Sequence, residues 1–161
     1  MFDLSRSFLA TVERRPQALA VSDGAFRRTY AAWLEDIQSV ARGLGNLGLD
    51  KGDRLLVVMQ NRWQMATLHW ACQFAGIVVT PINWRSTAQD VRYCLDNGDI
   101  RALAYDASGS EAVEACPEAR ALPRIVVDST RHDSVTSFEA LLGAPGETIL
   151  RASPEDVSIM L

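Results

Sequence analysis

The sequence predicts an α/β fold in which a mostly parallel sheet carries helices on both faces. Between Lys51 and Asp106, three apolar runs alternate with two helical patterns, in the order strand, helix, strand, helix, strand. That alternation is typical of parallel strands joined by crossover helices. The run at 77–82 is apolar almost throughout, which indicates a central parallel strand with both faces buried. Ahead of this unit, a turn signal between two short strand-like stretches predicts a β-hairpin.

The chain opens with the predicted helix and hairpin. Apolar residues recur at helical spacing from Leu4 to Arg14, and Pro16 ends that helix. Residues 18–21 then have the pattern of a strand, and Asp23-Gly24 is a strong turn signal. We expect residues 27–30 to return antiparallel to the first strand.

The next predicted helix has the clearest division between an apolar and a polar side. Thr29 can accept a hydrogen bond as its N-cap, and Gly45 and Gly48 mark its end. Its apolar side carries Trp33, Leu34, Ile37, Val40, Ala41, Leu44 and Leu47. Its polar side carries Glu35, Gln38, Ser39, Arg42 and Asn46.

After a strand at 55–59, the helical pattern from Arg62 to Phe74 is apolar over most of its circumference. Its narrow polar stripe consists of Arg62, His69 and Gln73. Such a helix is buried between other layers. The His69 imidazole could be a metal ligand or a base, but no second histidine or cysteine cluster lies near it in the sequence. We favour a structural role for His69 at the edge of the stripe.

The carboxyl end of the expected central strand is the most promising place for a ligand. Pro81 cannot donate to a neighbouring strand, so regular pairing should stop near it. Asn83, Trp84 and Arg85 follow in a loop, and ligands of open α/β sheets bind at that end of the strands. Trp84 and Arg85 are the exposed candidates. Arg85 could hold a carboxylate or a phosphate, although a structural salt bridge or a helix-end contact is the commoner use of such a residue.

The second half of the chain continues the alternation. Thr87 and Asp90 match a capping box for a helix from Ala88 to about Asn97, with Asn97-Gly98 as its C-cap. The later predicted elements are a strand at 102–105, a helical turn at 110–116 broken by Pro117, a strand at 124–128, a polar loop at 129–134 containing His132, a helix at 137–142 closed by Gly143, a helix start at 153–156 and a strand at 157–161. Because a domain rarely ends inside an apolar strand, we expect a longer protein.

Composition restricts the possible functions and location. The formal net charge of −4 argues against a general affinity for nucleic acid. The cysteines Cys72, Cys94 and Cys116 form no C-x-x-C pair, so we expect buried free thiols in a reducing compartment. No apolar run approaches the roughly 20 residues that span a bilayer, and the first residues do not have the pattern of a secretory signal. We therefore predict no membrane span and a cytoplasmic location.

No motif with catalytic chemistry is present in the sequence. It lacks the glycine-rich dinucleotide and P-loop patterns, the nucleophile elbow and the spacings of metal-binding histidines. Its acidic residues are scattered over helix surfaces and turns, so they predict no carboxylate pair. We therefore expect no catalytic, cofactor-binding or metal-binding residue within these 161 residues.

Four stretches nevertheless resemble the adenylate-forming superfamily of acyl- and aryl-CoA synthetases, luciferases and peptide-synthetase adenylation domains. Residues 28–34 are similar to its L-T-Y-x-E-L entry to a long helix, and residues 51–61 to its G-D-R-V-x-x-x-x-x-N segment. Residues 74–83 are similar to the K-A-G-A-V-x-V-P-L-N motif, with Phe74 where Lys is usual, and continue as N-x-R-x-T. Residues 153–161 are similar to the lead-in to the glycine- and Ser/Thr-rich phosphate loop.

The resemblance implies the N-terminal portion of an enzyme that activates a carboxylic acid with ATP as an acyl-adenylate and passes the acyl group to coenzyme A. ATP, magnesium and coenzyme A would serve the whole enzyme. The resemblance places its phosphate loop, adenine site, magnesium-associated acids and mobile C-terminal domain after Leu161. The chain would then be a single incomplete α/β domain, inactive alone. A severed sheet also predicts self-association.

Two alternatives stay open. The chain could be a complete, non-catalytic α/β binding domain, or part of a peptide-synthetase adenylation domain. The Asn83-x-Arg85 pattern resembles the acyl-CoA ligase branch more than the adenylation domains, which usually show Asp-Pro there. Nothing in these residues distinguishes a fatty, aromatic or alicyclic acid as the substrate.

Overall fold

The structure is a computed structural model that describes residues 4–128 and 135–161. These residues are built around a parallel sheet. Its strands are β3 (Arg54–Val58), β4 (Val78–Pro81), β5 (Ile100–Tyr105), β6 (Arg124–Val126) and β7 (Thr136–Ser137). They lie in the order β4-β3-β5-β6-β7, and each neighbouring pair is parallel. The predicted α/β fold is confirmed.

Helices cover both faces of this sheet. The described helices are α1 (Leu4–Arg14), α2 (Tyr30–Asn46), α3 (Trp63–Ala75), α4 (Ala88–Gly98), α5 (Ala107–Glu114), α6 (Pro117–Arg120) and α7 (Phe138–Leu142). Residues of α1, α2, α3 and α7 share one apolar core with the sheet, and residues of α4, α5 and α6 share the other. None of the helices in the described ranges is long and apolar enough to cross a membrane.

Strand β3 shows how the sequence separates the two cores. Successive side chains of a strand point to opposite faces. Leu55 and Val57 accordingly belong to the core under α2 and α3, whereas Leu56 and Val58 belong to the core under α4 and α5. All four are buried, which explains why the run is apolar throughout rather than alternating.

Strand β4 is buried as predicted, but its expected central position is wrong for the described residues. It pairs with β3 on one side only. On its other side the contact is an isolated bridge between Val79 and Ile159, and this bridge is all that forms of the predicted strand at 157–161. Val78, Val79 and Thr80 are nevertheless buried although only one edge of β4 is regularly paired. An apolar run therefore reports burial of the faces and carries no information about the neighbours of a strand.

The predicted hairpin is confirmed as β1 (Leu19–Asp23) and β2 (Phe26–Thr29), which pair antiparallel. Its two-residue turn is Gly24-Ala25, with Gly24 at a φ of 56°. The hairpin docks on the first residue of α3: the Asp23 carboxylate accepts from the Trp63 amide at 3.1 Å, and the Phe26 ring stacks on the Trp63 ring at 3.8 Å. The start of α3, which lacks a side-chain cap of its own, is thereby capped by a residue distant in sequence.

The two predicted N-caps are confirmed. The Thr29 hydroxyl accepts from the Ala32 amide, and Thr87 and Asp90 form the complete capping box at the start of α4. Hydrogen bonds from Thr87 hold the pKa of the Asp90 carboxyl below its ordinary value. The C-cap of α4 is Asp99, with a φ of 46°, rather than Asn97-Gly98, because the helix continues through Gly98.

Three predictions for the second half need correction. Pro117 begins α6, where its missing N–H costs nothing, and the helix before it is the longer α5. Thr136-Ser137 forms a short strand ahead of the predicted helix. Residues 153–156 form a turn, in which the Asp156 carboxylate accepts from the Ser153 amide at 2.7 Å, and no helix follows. The predicted loop containing His132 lies outside the described residues.

The polar sides predicted for α2 and α3 are wrong at one residue each. Gln38 and Gln73 are buried, with 6% and 5% of their surfaces exposed. Each donates its side-chain amide to the backbone of the C-terminal segment, Gln38 to Ile149 and Gln73 to Ser158. Burial of an amide is tolerated when it is hydrogen-bonded, and here the partner is too far along the chain for a helical pattern to reveal.

Candidate functional site

The loops that follow four neighbouring strands meet at one edge of the sheet, because parallel strands share their carboxyl edge. They place Arg62 after β3, Trp84 and Arg85 after β4, Asp106 after β5 and Asp128 after β6. This is the edge at which the sequence predicts a ligand.

Asp106 is the best-buried charged group of this edge, with 3% of its surface exposed. Its Oδ1 accepts from the Ser108 amide at 2.9 Å and from the Ser108 hydroxyl at 2.5 Å, and its Oδ2 accepts from the Gln60 amide at 3.2 Å. Arg62 Nη1 lies 3.8 Å from the same Oδ2, and Arg62 Nη2 donates to Asp128. The Arg62–Asp106–Asp128 cluster therefore ties together the ends of β3, β5 and β6.

This cluster was not predicted from the sequence, in which the acids look scattered. The available signal was position, since Asp106 directly follows β5 and Asp128 closely follows β6. Both therefore had to emerge at the same edge of a parallel sheet. The carboxylate oxygens of Asp106 are already engaged by amides, a hydroxyl and a guanidinium, so the cluster holds loops in place rather than offering a free base.

Trp84 and Arg85 form the second feature of the edge. The Arg85 guanidinium carbon lies 4.1 Å from the Trp84 ring centroid, a cation–π contact. The Asn83 side-chain oxygen accepts from the Arg85 amide at 2.9 Å and fixes the turn. Arg85 is exposed and forms no ion pair within the described ranges, so the commoner role of a structural salt bridge is not the one observed. Stacking on Trp84 orients its charge and leaves it open to an anion.

A cavity of about 350 Å³ lies between this loop and helix α5. Its lining includes Trp84, Arg85, Ser108, Glu111, Ala112 and Ala115. The position of α5 depends on Gly109, because a Cβ there would lie 2.2 Å from the Val58 carbonyl oxygen. The edge thus combines a large aromatic surface, an oriented cation and a cavity whose far side is fixed by a close helix–strand contact.

His69 lies elsewhere, in a groove of about 460 Å³ between the hairpin and α3. Its ring meets the Trp70 ring edge-on at 5.9 Å, and burial lowers its pKa below the ordinary value. The described residues hold no group of three His, Cys, Asp or Glu side chains suited to a metal. The structural role of His69 stays a prediction.

The described residues do not fit ATP-bound magnesium. Within residues 4–128 and 135–161 no set of metal-ligating side chains converges, and the carboxylate oxygens of Asp106 are engaged. The starts of α3, α4 and α5, which follow the strands of this edge, are capped by Asp23, by the Thr87–Asp90 capping box and by Asp106. We therefore derive no chemical step through a metal or a phosphate loop on these residues.

The cysteine thiols are poorly suited to nucleophilic chemistry. Burial raises the pKa of Cys72 to about 12, and burial together with the Asp90 charge raises that of Cys94. Cys116 is buried and donates to the Glu118 carboxylate at 3.2 Å. All three are free, as the sequence predicts, but Cys94 is half-buried rather than buried.

Comparison with known proteins decides the family. The model of the AMP-binding enzyme family matches residues 8–161, nearly the whole chain. The chain belongs to the AMP-binding enzyme family. This agrees with the resemblance to adenylate-forming enzymes seen in the sequence.

Individual proteins are similar to this one over most of the chain. Protein Y of Streptomyces griseus is 31% identical over 153 residues, which cover 89% of the chain and 50% of that protein. The long-chain-fatty-acid–CoA ligase FadD13 of Mycobacterium tuberculosis is 30% identical over 126 residues, covering 78% of the chain and 25% of FadD13. A benzoate CoA ligase from Burkholderia xenovorans superposes on the whole chain with a TM-score of 0.86 and 23% identity, over 32% of its length.

The chain corresponds to only part of the length of each of these relatives. The chain spans half the length of Protein Y and a quarter of FadD13. The match to the benzoate CoA ligase structure concerns the fold, and it includes the five-stranded sheet and the loops at its carboxyl edge.

Proposed function

We propose that the chain is the N-terminal portion of an ATP-dependent, AMP-forming acyl-CoA ligase. The observation that carries the proposal is the family match over residues 8–161, and the similarity to the CoA ligase FadD13 favours a thiol acceptor. In the whole protein a carboxylic acid would be activated as an acyl-adenylate with release of pyrophosphate, and the acyl group would pass to coenzyme A. The Asn83-x-Arg85 pattern also favours this branch over peptide-synthetase adenylation domains.

In that enzyme, the chain's own residues would hold and orient rather than react. The Arg62–Asp106–Asp128 cluster fixes the loop ends, and Gly109 lets α5 approach β3. Arg85, stacked on Trp84 and free of ion pairs within the described ranges, would attract a carboxylate or phosphate of a substrate. We place the catalytic, nucleotide-binding and magnesium-binding groups of the whole protein outside these 161 residues, which would form one incomplete α/β domain.

Pyrophosphate release tests the proposal. The 161-residue chain and a protein that continues beyond Leu161 are each incubated with ATP, magnesium, coenzyme A and a panel of fatty, aromatic and alicyclic acids. We expect acid-dependent release of pyrophosphate and formation of acyl-CoA with the longer protein and not with the 161-residue chain. Robust release by the short chain would contradict the proposed division. Adenylation without acyl-CoA formation would favour the peptide-synthetase alternative, and ligand binding without adenylation would favour a binding domain.

The role of Arg85 is tested in the same assay. Arg85→Ala removes the charge and the stacked group, whereas Arg85→Lys keeps the charge but loses the planar contact with Trp84. We expect KM of one anionic substrate to rise about tenfold in Arg85→Ala and less in Arg85→Lys, since a hydrogen bond to a charged group contributes about 1.5–3 kcal/mol. Unchanged KM values for the acid, ATP and coenzyme A would remove Arg85 from the site.

We also propose that the isolated chain self-associates and that the whole protein is cytoplasmic. Val157, Ile159 and Leu161 are exposed beside a strand edge that holds one isolated bridge, which supports association between copies. The three free cysteines support a reducing compartment. Sedimentation velocity should show a dimer or larger species, and a monomer at high concentration would contradict the first point. Fractionation of cells that produce the whole protein tests the second.

A further inference from the structure

Residues 144–161, here called the strap, return along α2 and α3 to the edge of β4. Apart from the bridge at Ile159 the strap has no regular secondary structure. Its backbone is held mainly by distant side chains and by the end of a helix. Gln38 is hydrogen-bonded twice to Ile149, at 3.0 and 2.6 Å, and Arg42 Nε donates to the Ala144 carbonyl at 2.8 Å. These contacts attach the first half of the strap to α2.

The middle of the strap closes the C-terminal end of α3. The last carbonyls of a helix lack partners within the helix. Here the Phe74 carbonyl accepts from the amides of Arg151 and Ala152, at 2.8 and 3.4 Å, and the Gln73 carbonyl accepts from the Ser5 hydroxyl at 3.0 Å. The strap therefore supplies donors that α3 needs, and the position of the strap is coupled to the end of that helix.

The last part of the strap pairs with β4 through two backbone hydrogen bonds, and one strap carbonyl also accepts from α3. The Ser158 carbonyl accepts from the Val79 amide at 3.3 Å and from the Gln73 side-chain amide at 3.2 Å. The Met160 amide returns a bond to the Val79 carbonyl at 3.1 Å. The two backbone bonds are a minimal ladder, and the apolar residues Val157, Ile159 and Leu161 are exposed, so burial of an apolar face specifies the register only weakly. The Gln73 amide, fixed within α3, adds a bond that only one register satisfies.

We propose that Gln73 is a positioning residue that sets the register of residues 157–161 on β4. This inference rests on the proposed function and on the resemblance of residues 153–161 to the lead-in of a phosphate loop, which implies that the chain after Leu161 binds the phosphates of ATP. A slip by one residue would invert the side chains of this segment and displace the chain after Leu161 by about 3.3 Å. A displacement of that size would misplace phosphate-binding amides, so the side-chain amide of Gln73 controls ATP binding without touching ATP.

Gln64 provides a matched control on the same helix. It is as buried as Gln73, with 3% of its surface exposed, and its Oε1 has no hydrogen-bond partner among the described residues. It lies near the opposite end of α3 from the strap contacts. Gln64→Leu therefore makes the same chemical change as Gln73→Leu away from the strap. Gln73→Glu keeps the shape of the side chain but, when ionised, has no donor for Ser158.

Hydrogen exchange of the 161-residue chain tests the register directly. We expect the Val79 and Met160 amides to exchange about tenfold faster in Gln73→Leu and Gln73→Glu than in the unaltered chain, the effect of losing about 1.4 kcal/mol of local stability. In Gln64→Leu the exchange rates of the Val79 and Met160 amides should change no more than the exchange rates of the β5 amides. Equal exchange in the Gln73 and Gln64 variants would overturn the proposal. If Gln73→Leu does not fold, Gln73→Glu decides the comparison.

Kinetics of the protein that continues beyond Leu161 test the consequence. We expect Gln73→Leu to raise KM for ATP about tenfold, with KM for the acid within about twofold, and Gln64→Leu to show no such difference between substrates. Equal effects on both substrates would mean a merely structural role and overturn the inference. If the unaltered longer protein releases no pyrophosphate, both the proposed function and this kinetic consequence are refuted. The exchange experiment would still decide whether Gln73 sets the register of residues 157–161.

Discussion

The amino and carboxyl ends of the parallel sheet differ in how their charges are used. At the amino end, cations near the starts of the strands are paired with acids in the combinations Lys51–Asp156, Arg54–Asp99, Arg101–Asp53 and Arg151–Asp50. At the carboxyl end, Arg62 is paired with Asp106 and Asp128, but Arg85 forms no ion pair within the described ranges. Only the carboxyl end thus presents, among the described residues, an oriented cation that is still able to bind an anion.

Burial separates the two ends as strongly as pairing does. The Asp106 side chain at the carboxyl end is 4% exposed, whereas the amino-end partner Asp99 is 73% exposed. Surface ion pairs contribute little to stability, and a buried carboxylate with several donors contributes much more when its removal leaves those donors unpaired. The difference teaches that the Asp106 site is preorganised by its interior, whereas the four amino-end pairs are partly or largely solvated. At the start of β6 the pair of Arg124 with Glu114 is the exception, since the Arg124 side chain is only 5% exposed.

Asp106→Ala should produce the largest loss. It would leave the Gln60 and Ser108 amides and the Arg62 guanidinium without their buried acceptor. We expect unfolding in urea to show a loss of about 3–4 kcal/mol. Asp53→Ala, at the amino end, should cost about 1 kcal/mol or less. Equal losses for the two variants would remove the contrast between the ends.

Gly109→Ala should cost about 2–3 kcal/mol, because its new methyl group would overlap the Val58 carbonyl and force α5 away from β3. The matched control is Gly45→Ala in α2, where a Cβ meets nothing within 4 Å. That control should be neutral or stabilise by about 0.5 kcal/mol. Thermal melting measures both variants. Equal melting temperatures for Gly109→Ala and Gly45→Ala would show that α5 does not approach the Val58 carbonyl as closely as described.

Lys51→Met sharpens the view of the amino end. The Lys51 Nζ lies 2.8 Å from Asp156, and the Lys51 side chain is 44% exposed. Methionine keeps the stem that packs near Gly76 but removes the charge. We expect a loss below about 1 kcal/mol in low salt, which disappears at about 1 M NaCl, where the screening length is about 3 Å. A larger loss that persists in high salt would mean that the amino end is also preorganised electrostatically.

His69, in the middle of α3, should give the smallest effect. Burial lowers its pKa in the folded chain below the ordinary 6.5, so the unfolded chain takes up the proton first as the pH falls. The resulting penalty is absent above pH 6.5 and grows as the pH decreases from 6.5 toward the folded pKa. We expect His69→Gln to lose less stability than the unaltered chain between pH 7 and about pH 5.5 in urea titrations. Parallel pH profiles would show that His69 is not desolvated by the fold.

Much of the architecture was predictable because it is determined by local patterns. The alternation of strands and helices, the Thr29 cap and the Thr87–Asp90 capping box all depend on residues within a few positions of one another. The hairpin depended on one dipeptide containing Gly24. The structure confirms each of these.

Errors arose where the deciding partner is distant in sequence. The polar positions of Gln38 and Gln73 have the periodicity of solvent-facing residues, yet their partners lie 111 and 85 residues away. The apolar run of β4 showed that its faces are buried but not that it lies at an edge. At the carboxyl edge, the loop with Arg85 was predictable from strand order, whereas the cluster around Asp106 required three loops to be considered together.

The strap also has a consequence for the order of events during synthesis. The amide of Gln73 meets Ser158 only after 85 further residues have been made. At roughly 5–20 residues per second, the C-terminal end of α3 therefore waits about 4–17 s for its final partners. During that interval the nascent chain exposes helix-end carbonyls and the free edge of β4, which are groups that chaperones or neighbouring nascent chains can contact. A ribosome pause before residue 150 would lengthen that exposure. Codon choice between Gln73 and residue 150 should therefore affect the yield of folded protein.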